Sequence, residues 1–218
     1  GKTEFIMMNF SVKTKQNTLM SIRNIYCIGR NYHAHATELN NEVPKQPFFF
    51  QKSLPSLNTS NEFTIPKDRE IHHELEVVIL IGKNGKEIPV TKTDDYILGY
   101  GLGLDLTDRD YQNELKRDQL PWLLSKSFQG SAIVSSFQDE IISEDFWLKI
   151  NGSTLQKGNI NQMIFSISEQ ISFLSSMLPL LEGDLIFTGT PSGVGPIQNG
   201  DELELGYGER TIHSLMVK

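Results

Sequence analysis

Ile71-His72-His73-Glu74-Leu75-Glu76-Val77-Val78-Ile79-Leu80-Ile81 is the stretch on which the reading of this chain turns. Its apolar and β-branched residues predict one β-strand from Ile71 to Ile81. Side chains two apart in a strand share a face, so Glu74 and Glu76 project together while Leu75 and Val77 point the other way. Two carboxylates held side by side repel each other unless a cation lies between them. A hard divalent ion such as Mg2+, which takes oxygen ligands, suits that place. For an isolated Glu-x-Glu a solvated strand face is the commoner outcome, so the rest of the chain decides.

Upstream, residues 3–12 and 20–28 read as short strands, the second ending at Gly29-Arg30-Asn31-Tyr32. Residues 31–42 are polar, and His35, Glu38 and Glu42 recur at spacings that share a helix face. This polar segment is expected to move as a lid over a ligand. Phe48 to Lys52 reads as a strand, and residues 58–71 as a polar loop with short extended pieces. Downstream, Asn84-Gly85 signals a hairpin-type turn. Thr93 or Asp94 opens a short helix before the glycine-rich strand 97–105, which ends in Asp105. Thr107 or Asp108 caps a helix through Lys116. A hairpin is expected over 146–156, turning at Asn151-Gly152, and a longer helix over 166–178. Strands follow at 184–188, 202–205 and 211–217. Strands outnumber helices and no βαβ rhythm appears, which predicts an α+β domain with a rolled or barrel-like sheet.

The chain has 218 residues, enough for one large domain or two small ones with a sizeable core. A net charge of −7 argues against a general nucleic-acid or anionic-membrane binder, both of which need a basic surface. It leaves room for a small anionic substrate, because a bound metal inverts the local potential. The single cysteine, Cys27, permits no internal disulfide and reads as a buried structural thiol. No apolar run approaches the roughly 18 residues of a membrane span. No secretory pattern opens the sequence, so a cytoplasmic location is expected, and Gly1-Lys2 reads as a possible cloning remnant.

Six motifs in order carry a wider resemblance. They are Gly29-Arg30-Asn31-Tyr32 with His35 and Glu38; Phe50-Gln51-Lys52; Glu74-Leu75-Glu76; Gly99-Tyr100 leading to Asp105-Leu106-Thr107-Asp108-Arg109-Asp110; Lys126-Ser127-Phe128; and Gly189-Thr190-Pro191-Ser192-Gly193-Val194-Gly195. Together they resemble the fumarylacetoacetate hydrolase family from about Ile25 to the C-terminus. The chain looks like its short branch, which includes acylpyruvate and fumarylpyruvate hydrolases and oxaloacetate-handling enzymes. The resemblance implies an α+β, β-roll fold of the family's C-terminal type with short helices. Residues 1–20 would form an N-terminal strand, and 21–218 a single catalytic domain. It also implies a homodimer, for which the aromatics of Phe48–Phe50 and Trp122 could supply an interface.

The same resemblance implies metal ligation by Glu74, Glu76 and Asp105, with Mg2+ as the ion and Mn2+ or Ca2+ as substitutes. His35 and Glu38, three residues apart, form the pair that activates water in the hydrolases, with the carboxylate raising the basicity of the imidazole. Lys126 would stabilise developing oxyanion charge. Lys52 is a weaker candidate of the same kind. Arg109 and Gln112 would contact substrate oxygens, with the Arg109 fork suited to a carboxylate. Thr190 would contact a substrate carboxylate from the glycine-rich loop. The activity implied first is hydrolysis of a C–C bond in an acylpyruvate-type 1,3-diketo acid through an enolate. Decarboxylation or keto–enol tautomerisation of oxaloacetate is the alternative, and a non-catalytic metal-binding scaffold the remote one. Three positions depart from the family pattern: Gln129 stands where relatives carry Asp, Asp108 where they carry a small residue, and Gln51 where they carry an apolar one.

Overall fold

The computed structural model describes residues 10–218. Of the strand expected over 3–12, residues 3–9 lie outside the described residues. Ser11–Lys13 is a strand, paired antiparallel with Leu19–Ser21. The expected strand 20–28 is thus two pieces, Leu19–Ser21 and Ile25–Ile28.

The centre of the molecule is a seven-stranded mixed sheet. Its spatial order is Phe49–Lys52, Ile25–Ile28, Leu185–Phe187, Leu75–Ile81, Ile97–Asp105, Ala132–Val134 and Leu57–Asn58. Leu75–Ile81 lies in the middle and every residue of it is buried, as an unbroken apolar run requires when both faces are covered. Val77 and Ile79 face one core with Leu102, Leu104, Phe146, Leu148, Leu203 and Leu205. Val78 and Leu80 face a second core with Ile25, Cys27, Ala132, Val134, Leu185 and Phe187. Cys27 is buried there, as the sequence implied. The first core is closed by a five-stranded sheet containing the hairpin Phe146–Ile150/Ser153–Gly158 and the strands Glu202–Tyr207 and Arg210–Val217. The glycines of Ile97–Asp105 permit this close packing. A Cβ on Gly103 would stand 2.4 Å from the Ile133 carbonyl oxygen and 2.9 Å from Val78 Cγ2. The result is the expected α+β class: a curled sheet with four short α-helices among the described residues.

The strand that opened the reading is not continuous. Ile71–His73 pairs with Thr107–Asp108 and Gly195–Pro196 in a separate three-stranded sheet, while Leu75–Ile81 enters the central one. Glu74 is the residue at the break, and its carbonyl accepts the Asp105 amide at 2.9 Å. The Asn84-Gly85 segment is likewise not a two-residue hairpin. A longer connection containing the 3-10 helix Val90–Tyr96 joins the two paired strands, so that helix begins three or four residues before Thr93 or Asp94. Gly85 instead bridges to Leu180, and the Asn84 side chain accepts the Glu182 amide. The other helix expectations hold closely. Asp108, not Thr107, caps Arg109–Arg117 by accepting the Tyr111 amide, and Ser166 caps Ile167–Met177. Leu123–Lys126 is a short helix that no periodicity in the chain foretells.

Candidate metal centre and active-site cleft

Two chain segments bring three carboxylates together where the central sheet and the small sheet diverge. Glu74 comes from the strand break, Glu76 from the second residue of Leu75–Ile81, and Asp105 from the last residue of the paired strand. All three are buried, and one carboxylate oxygen from each lies within 4.8 Å of the others. The cluster survives the break because Glu74 lies one step outside the strand and still turns its carboxylate to the side that Glu76 occupies.

Cations surround the cluster unevenly. Lys126 Nζ donates to Asp105 Oδ2 at 2.9 Å, Glu74 Oε2 at 3.2 Å and Thr107 Oγ1 at 2.8 Å. Burial would lower the Lys126 ammonium, but Asp105 and Glu74 outweigh it and raise it, so Lys126 is charged. Arg109 donates from one terminal nitrogen to Glu74 Oε1 at 2.6 Å, from the other to Gln112 Oε1 at 2.8 Å, and from Nε to His72 Nδ1 at 3.3 Å. Burial would raise the Glu74 carboxyl, yet Lys126 and Arg109 together hold it well below the usual carboxylate range. Glu76 has no cationic partner in an ion pair among the described residues, and its Oε2 accepts only the Gly189 amide, at 2.7 Å. Burial first, then Asp105 and Glu74, push the Glu76 carboxyl well above its ordinary value.

A divalent cation fits this donor set. Three hard carboxylate oxygens converge, as Mg2+ and Mn2+ require. Asp105 Oδ1 lies 2.8 Å from Lys52 Nζ but receives no hydrogen bond, which leaves a lone pair unserved on a fully buried oxygen. Glu76 lacks the positive charge that its neighbours have. The cluster is therefore a divalent-metal site, with Glu74, Glu76 and Asp105 as the residues that would hold the ion.

The cleft over this cluster is lined by Arg30, His35, Phe48, Phe50, Glu74, Glu76, Arg109, Gln112, Lys116, Trp122, Lys126 and Thr190. It thus gathers His35, Arg109, Gln112, Lys126 and Thr190 as expected. The aromatics considered for an interface are partly spent here: Phe48 and Phe50 both pack on Trp122, and Phe49 stacks on Phe173. A much larger groove, of about 990 Å3, lies elsewhere, along residues 57–67 with Gln129 and Gly130. It contains none of the residues expected to do chemistry. The Gln129 departure faces that groove, Gln51 is exposed, and Asp108 is the helix cap.

Two expected site residues do not line the cleft. Lys52 is fully buried, and its ammonium donates to the Leu106 carbonyl at 2.9 Å and to the Lys126 carbonyl, besides pairing with Asp105. With its donors taken in this way it fixes Asp105 and the Lys126 backbone and has none aimed at a substrate. Glu38 touches His35 Nδ1 at 3.4 Å, but its two oxygens also accept the Gly193 amide at 3.0 and 3.1 Å. The helix His33–Glu38 is thereby tied to the glycine-rich loop. Burial lowers the His35 imidazole despite the opposing pull of Glu74 and Glu38, so it is a neutral base at pH 7.

Gln156 was not anticipated. It is buried in the hairpin strand Ser153–Gly158. Its Oε1 accepts from the Leu75 amide at 3.0 Å and lies 2.7 Å from His73 Nδ1. Its Nε2 donates to Thr190 Oγ1 at 2.8 Å and to the Pro191 carbonyl at 3.0 Å. One side chain thus sets the Thr190 loop against the strand that carries Glu74 and Glu76. No sequence signal marked Gln156: the one large apolar residue of its strand, Leu155, is exposed, so apolar-polar alternation would have turned Gln156 outward. Asn31 does similar work, bonding Phe165 and the Thr188 carbonyl.

Comparison with known proteins agrees with this geometry. The model of the fumarylacetoacetate hydrolase C-terminal family matches residues 24–214. The mitochondrial oxaloacetate decarboxylase of Dictyostelium discoideum is 44% identical over 192 residues, covering 84% of this chain and 88% of that protein. The mitochondrial oxaloacetate tautomerase FAHD1 of Mus musculus is 44% identical over 191 residues, covering 84% and 86%. Among solved structures, the fumarylpyruvate hydrolase of Pseudomonas aeruginosa in complex with Mn2+ and pyruvate superposes with a TM-score of 0.89. It is 32% identical and covers 95% of this chain and 94% of its own.

Proposed function

This chain belongs to the fumarylacetoacetate hydrolase family, and from that premise we propose that it is a divalent-metal-dependent enzyme that enolises oxaloacetate, as a decarboxylase or keto–enol tautomerase. The observation that carries the reading is the buried Glu74, Glu76 and Asp105 cluster opening on a cleft that also holds Lys126, Arg109 and a neutral His35. The two curated relatives, both named for oxaloacetate, support the choice of substrate over the hydrolytic reading that the motifs suggested first.

When bound, the ion supplies Lewis-acid stabilisation of the charge that develops on the 2-oxo oxygen during enolisation. The chain's own groups do the rest. Arg109, already bonded to Gln112, presents a planar fork that can share a substrate carboxylate with the Gln112 amide. The Thr190 hydroxyl, held by Gln156, fixes the opposite side of the substrate. The Lys126 ammonium, its donors held by Asp105, Glu74 and Thr107, lines the cleft and lends positive charge, rather than a free donor, to the place where oxyanion charge would grow. The His35 imidazole, neutral and at the cleft wall, can accept a proton from C3 and return it.

A second reading, hydrolysis of an acylpyruvate, is favoured by one observation: the His35–Glu38 contact, which would orient the imidazole toward a water. Parallel assays decide between them. Purified protein with Mg2+ is given oxaloacetate and acetylpyruvate, with enol loss and pyruvate release followed separately. Turnover of oxaloacetate abolished by chelator supports the proposal; turnover of acetylpyruvate alone would replace it with the hydrolase.

A further inference from the structure

Two cations at the mouth of the cleft have no work in the mechanism above. Arg30 and Lys116 line the same cleft as Glu74, Glu76 and Arg109, and neither forms an ion pair or a side-chain hydrogen bond among the described residues. Each lies on one wall of an aromatic pair. The Arg30 guanidinium carbon is 5.5 Å from the Phe48 ring centroid, and Lys116 Nζ is 4.9 Å from that of Trp122. Phe48 and Trp122 meet edge to face at 6.3 Å, so the two cations flank a single wall. Aromatic faces attract cations without neutralising them, which leaves both charges available to an anion.

The backbone is shaped for this placement. Arg30 has φ +53°, a left-handed conformation that a side chain adopts at some cost. The preceding Gly29 lies so close to Phe48 that a Cβ there would stand 2.2 Å from the ring. The chain is thus pinned under Phe48 while Arg30 turns over it. Charge points the same way. Four cationic side chains (Arg30, Arg109, Lys116, Lys126) line the cleft against two acidic ones (Glu74, Glu76), in a chain whose net charge is −7. Lys126 and Arg109 each pair with Glu74, whereas Arg30 and Lys116 pair with no acid among the described residues. Burial, with Arg109, Arg30 and Lys126 nearby, lowers Lys116 to about 8 against the opposing pull of Glu74.

We propose that Arg30 and Lys116 form a second carboxylate subsite, which binds the carboxylate of a 2-oxo diacid distal to the end held at the metal centre and so selects diacids over monoacids. The proposal rests on the reading of the cleft as a 2-oxo acid site. It adds which residues hold the second carboxylate, and that they set a preference for diacids over monoacids.

Calorimetric titration in saturating Mg2+ tests it without turnover. Pyruvate and 2-oxobutanoate serve as monoacids, and 2-oxoglutarate as a diacid that carries no 3-carboxylate to lose. The wild-type protein is expected to bind the diacid at least tenfold more tightly. Arg30→Gln and Lys116→Met should each remove most of that preference while leaving pyruvate affinity within twofold. Unchanged pyruvate binding also shows that the variants fold. Equal affinity for monoacids and diacids in the wild type, or a preference that survives both substitutions, overturns the subsite. So does an equal loss of pyruvate and diacid binding. A diacid preference without oxaloacetate turnover would retain the subsite and reject the proposed reaction.

Discussion

Glu76→Gln separates the charge of the cluster from its shape. Glutamine keeps the size of the side chain, and its carbonyl can still accept the Gly189 amide that now reaches Glu76 at 2.7 Å. What it removes is an anion that burial, Asp105 and Glu74 all disfavour in the metal-free protein. A carboxyl raised in the folded state stabilises fully below its unfolded value of 4.5, and that contribution is lost as pH rises through the higher folded value. The metal-free wild type should therefore lose stability above about pH 4.5 relative to the glutamine variant, which at pH 8 should be at least as stable. Metal reverses the order. At 100 times its Kd the ion stabilises by about 2.7 kcal/mol, or about 5–11 °C in Tm for a chain of this size. Loss of an outer-shell partner alone weakens metal affinity about 10–100-fold, so loss of a charged ligand should reach at least the upper figure. At the same Mg2+ the variant then retains about 0.4 kcal/mol, a shift of about 1–2 °C. Thermal unfolding at pH 8 with EDTA and with Mg2+, repeated across pH, measures every term. An equal Mg2+-induced shift in both proteins would show that Glu76 is not a ligand. A metal-free variant clearly less stable than wild type at pH 8 would refute the charge argument itself.

Replacing His35 by Gln should lower acylpyruvate hydrolysis by about 10²–10⁴-fold if His35 activates water, with a smaller effect on oxaloacetate decarboxylation; steady-state kinetics on both substrates gives the ratio. Gln156→Leu leaves the Leu75 amide and the Thr190 hydroxyl without their partner. A loss of about 3 kcal/mol in the urea-unfolding free energy is expected, with a rise in KM as the Thr190 loop drifts. Gly193 has φ +99°, and a Cβ on it would stand 2.4 Å from the Leu155 carbonyl oxygen. Gly193→Ala should therefore cost about 1–3 kcal/mol and loosen the helix that carries His35, visible as faster amide exchange over residues 33–38. His35, His73 and His213 are all lowered from 6.5, chiefly by burial, so the unfolded chain binds more protons than the folded one. Their contribution to stability should rise with pH up to about 6.5–7 and fall away in acid, a trend that the Glu76→Gln background isolates from the opposing carboxyl.

The sequence disclosed what local periodicity and motif chemistry can encode. The apolar run Leu75–Ile81 and the glycine spacing of Ile97–Asp105 predicted the two central strands, because burial on both faces and close backbone approach leave such marks. Glu74 and Glu76 were legible as a pair for the same reason, two residues apart on one segment; Asp105, which ends the partner strand, joined them only through the family resemblance. Long-range pairing was not legible. Ile71–His73 reads as part of the strand that follows it, because nothing in its composition tells which sheet it joins. Its partners Thr107–Asp108 and Gly195–Pro196 are two-residue strands with no periodicity to detect.

Lys52, Glu38 and Gln156 show why side-chain type alone does not assign a role. A lysine beside an acidic cluster suggests a cation aimed at substrate. Lys52 instead has zero exposure, and its ammonium bonds two backbone carbonyls and pairs with Asp105. A buried ammonium must fill its donors or lose its charge, and the carbonyls of Leu106 and Lys126 do the filling. Those carbonyls flank the Asp105 turn and the Lys126 backbone, so the same bonds that satisfy Lys52 set the separation of Asp105 from Lys126. Glu38 and Gln156 repeat the logic from the other side of the cleft, one tying the His35 helix to Gly193 and the other tying Thr190 to Leu75. Asp105, Lys126 and Thr190 are thus each held by a buried polar side chain from a distant segment, while the exposed Glu38 ties the helix of His35 to Gly193. A cleft built that way positions carboxylates, ammonium and imidazole before any ligand arrives, which is the preorganisation that stabilising a developing enolate requires.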